Sequence, residues 1–83
     1  MTVKEATRIM LQQIKAKKTE ANNYVPVKNK DLALALNLTA ASYSRILTGV
    51  TTPQIQTWAK ICKMHSLICG HEKTMAITDK IDV

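Results

Sequence analysis

Phenylalanine is absent from this 83-residue chain, and only Tyr24, Tyr43 and Trp58 are aromatic. Strands favour aromatic side chains, so a palette of Leu, Ile, Ala and Met without them suits packed helices better than sheets. The chain holds only two glycines, which excludes a glycine-rich loop cradling phosphates. Its six acidic residues are scattered, and none clusters near His65 or His71 to make a catalytic base or triad. An enzyme is therefore not expected, nor is a cofactor or a small-molecule ligand. No run approaches the roughly eighteen apolar residues of a membrane span, and the N-terminus lacks the apolar segment of a secretory signal. The expectation is a cytoplasmic protein with no membrane partner.

Cysteine is equally scarce, with Cys62 and Cys69 alone. On one helix they would stand roughly 10 Å apart along the axis, too far for a disulfide, and reduced thiols suit an intracellular protein. Cys62, His65, Cys69 and His71 fall within ten residues, and the first three share a helical face. Structural zinc usually takes its ligands from separate elements, and this face also carries apolar residues. No metal is expected; the cysteines read as buried and His71 as a helix-end residue.

What the chain has is positive charge. Twelve Lys and Arg face six Asp and Glu, and the excess is uneven. Residues 1–69 carry ten basic and three acidic groups, while residues 70–83 carry two basic and three acidic. The body attracts polyanions, a property of solubility and non-specific association that sets no sequence preference. With 46% apolar residues in so short a chain, one core is the limit, and self-association would bury further apolar surface.

Thr2-Val3-Lys4-Glu5 has the form of a capping box. Val3, Ala6, Met10 and Ile14 recur at helical spacing, so residues 3 to about 18 read as one amphipathic helix. Residues 19–29 contain an Asn pair and Pro26 and read as a loop, pinned to the core by Tyr24, Val25 and Val27. A second helix spans 30–36. Asn37 tolerates the left-handed conformation and Thr39 is a good N-cap, so the chain stops one helix and opens another, 40–48, within three residues. Gly49 ends that helix. Thr52-Pro53 supplies an N-cap and a proline at the first turn of a fourth helix, whose buried stripe is expected to be Ile55, Trp58, Ala59, Cys62 and Leu67, with Gly70 as its stop. In the tail, Met75, Ile77, Ile81 and Val83 alternate as in a strand, which would pair with its twin across a dimer; a short fifth helix or disorder fits equally.

Two short helices joined by a three- to four-residue turn form a helix-turn-helix, in which the second helix presents its N-terminal end to the DNA major groove. Ala33 is small where the helices cross, Asn37 sits where the turn wants positive φ, and Leu36, Leu38, Ile46 and Leu47 supply the core. With these residues in place, the segment 29–67 resembles the lambda-repressor-like helix-turn-helix family of phage and plasmid repressors. Its most specific pieces are "SRILTG" at 44–49, then "TTP" and "IQTWAKICKMHSL". Asn37 falls where that family most often has Gly, Tyr43 stands where a smaller aliphatic is usual, and the loop at 19–29 is longer than usual.

The resemblance implies an all-α fold of four to five helices, with a DNA-binding domain over residues 1–70 and 29–49 as its helix-turn-helix; the alternation in 71–83 makes that tail a candidate dimerisation element. It implies that Thr39, Ala40, Ala41, Ser42, Ser44 and Arg45 face the groove, with Thr48 at the far end. Arg45 is suited to guanine or a phosphate, the alanines to thymine methyls, and the serines are permissive donors. Lys28, Asn29 and Lys30, together with Thr51 and Thr52, are candidate phosphate contacts. Arg45 pairing with Asp31 on the surface, and Tyr43 serving the core, are the plainer alternatives. The expected function is a repressor that binds a pseudo-palindromic operator in double-stranded DNA as a homodimer. The rivals are an antitoxin that represses its own operon and a protein-interaction module such as an antirepressor.

Overall fold

A computed structural model of the chain describes residues 1–82, and it builds five helices with no strand among them. They are α1 (Val3–Ala21), α2 (Asn29–Ala35), α3 (Ala40–Leu47), α4 (Ile55–Cys69) and α5 (His71–Thr78). No described helix is long and apolar enough to cross a membrane. The long α1 is the organising element: it packs against α3, α4 and α5, while α2 leans on α3 and α5 on α4.

Local chemistry accounts for most of the boundaries. Thr2 Oγ1 accepts the Glu5 amide at 3.2 Å and opens α1, which then buries Ala6, Thr7, Met10, Leu11 and Ile14 along one face. Thr39 does the same for α3, accepting from Ser42 N at 3.1 Å. Between α2 and α3, Asn37 takes φ +58°, and Leu38 N donates to Ala33 O at 2.8 Å, closing the end of α2 on a carbonyl that Leu36 N also reaches at 3.1 Å. Gly49 at φ +80° turns the chain out of α3, and Val50 N donates back to Arg45 O at 2.9 Å. Ala33 is buried, as its place at the helix crossing requires. The core joins these faces through Leu32, Leu36, Tyr43, Ile46, Ile61 and Ile77. The Cα radius of gyration, 12.0 Å, matches the ~12 Å of a close-packed chain this long.

Four expectations need correction. The tail forms no strand: residues 71–78 are helical, Thr74 and Ile77 turn inward, and Ile81 packs on the core. The alternation hid a helical step, because Thr74 and Ile77 are three apart on one face of α5, and a lone strand would have left its backbone groups unpaired. A strand pairing across a dimer therefore has no strand to rest on; Val83, part of that pattern, lies outside the described residues.

The fourth helix starts at Ile55 rather than at Pro53, whose ring is buried in the connector, and its N-cap is Gln54 without a side-chain bond. Its buried stripe is rotated from the expected one: Ile61 and His65 are the fully buried residues, with Trp58, Cys62, Met64 and Ile68 beside them, while Ile55, Ala59 and Leu67 are exposed. A histidine at the stripe's centre defeats a search for apolar residues. The loop after α1 is shorter than expected, since α1 continues to Ala21, and Tyr24 and Val25 stand out in solvent. Val27 alone of the three packs inward, its amide on Thr19 Oγ1 at 3.3 Å.

Candidate nucleic-acid interface

The leading end of α3 is open to solvent. Thr39, Ala40, Ala41, Ser44, Arg45 and Thr48 are exposed and Ser42 is half-buried, whereas Tyr43 and Ile46, on the opposite side of the same helix, are buried against the core. The alternation follows from helical geometry: residues three apart share a face, so seating 43 and 46 inside turns 41, 44, 45 and 48 outward. Tyr43 therefore belongs to the core, and burial pushes its phenol pKa up.

Not every hydroxyl on this face is free. Thr39 Oγ1 receives the Ser42 amide and donates to Ser42 Oγ at 3.0 Å, so these two serve the helix start. Thr48 donates back to Ser44 O at 2.9 Å. Ser44 and Arg45 keep their side-chain donors uncommitted among the described residues, and Arg45 forms no ion pair with Asp31 there. An arginine without a partner on an exposed helix face has all five of its N–H groups available to an incoming acceptor.

Arg45 and Ser42 also form one wall of a polar concavity of about 350 Å³, closed by Leu38, Ile46, Thr51, Gln54 and Thr57. The structure thus brings together Ser42, Arg45 and Thr51 from the expected set, and adds Gln54 and Thr57 at the start of α4. These two went unnoticed in the sequence because α4 was expected to begin at Pro53, which disguised Gln54 as an interior helical residue. Thr52 is exposed but outside this concavity.

Lys28, Asn29 and Lys30 are exposed at the start of α2. Lys15 reaches across from α1 and donates to Asn29 Oδ1 at 3.0 Å. That bond ties α2 to α1, engages the Asn29 carbonyl oxygen rather than its amide donors, and adds Lys15 to the three residues expected. No sequence signal marks Lys15, because it is fourteen residues from Asn29 and joins it only through packing.

The histidine and cysteine set in α4 resolves differently. His65 is fully buried, with Nδ1 2.6 Å from Thr74 Oγ1 and Nε2 2.7 Å from Gln13 Oε1, so both ring nitrogens are taken and α1, α4 and α5 are linked through one side chain. Cys62 and Cys69 are half-buried free thiols, and burial pushes both thiol pKa values up, against which Lys73 and Lys17 act on Cys69. His71 lies beyond Gly70 at the start of α5, 3.4 Å from Ser66 Oγ. Among the described residues no three His, Cys, Asp or Glu side chains converge on a point where a metal would sit.

No protein-family model matches the chain, and neither a characterised protein nor a solved structure matches it.

Proposed function

We propose that the protein is a sequence-specific regulator of transcription, a lambda-repressor-like helix-turn-helix domain that binds double-stranded DNA as a homodimer and represses by occupying a pseudo-palindromic operator. One observation carries the reading: α3 begins at an exposed, Thr39-capped end and holds an unpaired Arg45 on the rim of a polar concavity. In a base-reading helix, the N-terminal turn approaches the base edges while the preceding helix and the following loop meet the backbone. Lys28, Asn29, Lys30, Lys15 and Thr51 lie on the elements that flank α3 and suit phosphates. Base reading would fall to Arg45 and Ser44, with Ala40 and Ala41 against thymine methyls.

The test is a mobility-shift titration on a duplex spanning the gene's own upstream region, with unrelated duplex as competitor, between about 50 and 200 mM salt. A sequence-selective shift that weakens steeply with salt is expected. Binding that is equal on both duplexes, or no binding at low salt, would remove the regulator reading.

A further inference from the structure

α2 packs on α3, and α4 packs on α1 and α5, so a trough is left open between the end of α2 and the outer side of α4. It encloses about 360 Å³ and is lined by Ala35 and Leu36 on one wall and by Lys60, Lys63, Met64, Leu67 and Ile68 on the other. Its lining is apolar except for the two lysine head groups, and no carboxylate lines it. Leu67 is 77% exposed although it belongs to a helix with a well-filled inner face, and on α4 it shares its side with Lys60, Lys63 and Met64 at steps of three and four. From Lys60 to Ile68 the wall is about 12 Å long, enough for two turns of a docked helix.

We propose that this groove docks an acidic amphipathic helix of a partner protein, its apolar stripe on Met64, Leu67 and Ala35 and its carboxylates on Lys60 and Lys63. Helix-in-groove recognition needs apolar anchors at helical spacing together with flanking charge that selects the partner, and both are present on one wall. Methionine adds an adaptable surface. The charge also decides against a second copy of this chain seated symmetrically. Two such grooves face to face would gather four ammonium groups over an apolar seam lined by no acid, and like charges brought together there oppose association. The two sets of lining residues share no member, and along α4 the groove begins at Lys60, one turn or about 4.5 Å beyond Thr57 of the concavity.

Selection of a displayed library of helical peptides on the full chain tests this independently of DNA binding. Enriched sequences should carry Leu, Ile or Met at i, i+3 or i+4, and i+7, with Asp or Glu flanking them. Their affinity, read by fluorescence anisotropy, should fall at least about tenfold with Leu67→Glu and again with Lys60→Glu/Lys63→Glu. Because these side chains are exposed or rim the groove, circular dichroism and the melting temperature should be unchanged, and Leu67→Ala, which alters no charge, should leave the mobility shift on the upstream duplex unchanged. Enrichment without an acidic bias, no enrichment at all, or binding indifferent to Leu67→Glu would overturn the proposal. So would sedimentation showing that Leu67→Glu turns a dimer into a monomer, since the groove would then hold a second copy.

Discussion

The hydroxyl of Tyr43 is buried without a hydrogen-bond partner among the described residues. Leaving such a group unpaired costs about 1–3 kcal/mol, so Tyr43→Phe, which keeps the ring and deletes the orphan oxygen, should raise stability by about 1 kcal/mol in denaturant unfolding. A loss of stability would mean that the oxygen has a partner after all, such as a bound water. His65 makes a second residue-scale prediction. Its neutral ring fits its surroundings by donating Nε2–H to Gln13 Oε1 and accepting at Nδ1 from the Thr74 hydroxyl, which is closer to the ring than to Gly70 O, 2.6 against 3.2 Å. Burial first, and the Lys73 ammonium second, hold its pKa below the ordinary 6.5. The unfolded chain therefore takes up a proton where the folded chain resists it. The resulting stability is complete above the unfolded value and drains as pH falls from 6.5 towards the depressed folded value, by at most about 1.4 kcal/mol per pH unit. The stability difference between wild type and His65→Gln should shrink between about pH 7 and pH 5; a constant difference would show that the ring does not titrate this way. At Arg45, which touches nothing the fold needs, Arg45→Ala should weaken operator binding by about 10- to 100-fold with unchanged helicity, and should relax preference at one base position if the contact is to guanine.

Among the elements, α3 separates folding from binding most cleanly, because Thr39 serves its start and is also exposed on the proposed interface. Thr39→Ala removes the cap on Ser42 N and should cost about 1 kcal/mol of stability, while Thr39→Ser should keep it. If the serine variant unfolds as easily as the alanine variant, the hydroxyl is not what holds the helix start. The start of α1, the end of α2 and both ends of α3 were legible because each is written in local chemistry: Thr2, Asn37, Thr39 and Gly49 act on amides and carbonyls within a few residues of themselves. The phase of α4 was not, since its deepest position holds His65, whose burial depends on Gln13 and Thr74 arriving from other helices. In the tail a strand and a short fifth helix fitted the pattern equally, and only packing against α1 and α4, which buries Thr74 and Ile77, selects the helix.

At the scale of the whole molecule, the candidate surface is assembled from parts that no linear reading joins: Lys15 from α1, Lys28 to Lys30 from α2, the outer face of α3, and Gln54 and Thr57 from α4. The exposed face of α3 could be read from the sequence because Ile46 and Leu47 mark its inner side and the resemblance places 39–45 outward, whereas the core role of Tyr43 and the parts of Lys15 and Gln54 needed the packing of α1 and the true start of α4. Net positive charge alone cannot say which lysines meet phosphate, but salt dependence can, because each neutralised phosphate adds about −0.9 to the slope of log affinity against log salt. Lys15, Lys28 and Lys30 on each of two protomers give a slope near −5 for a dimer, and about half that for a monomer, so the slope reports assembly as well as contact. Lys28→Gln/Lys30→Gln should reduce it to about −2, whereas Lys60→Gln/Lys63→Gln, in the groove on the outer side of α4, should leave it unchanged. If instead the second pair flattens the slope and the first does not, the DNA lies along α4 rather than across α2 and α3, and the orientation proposed for α3 fails.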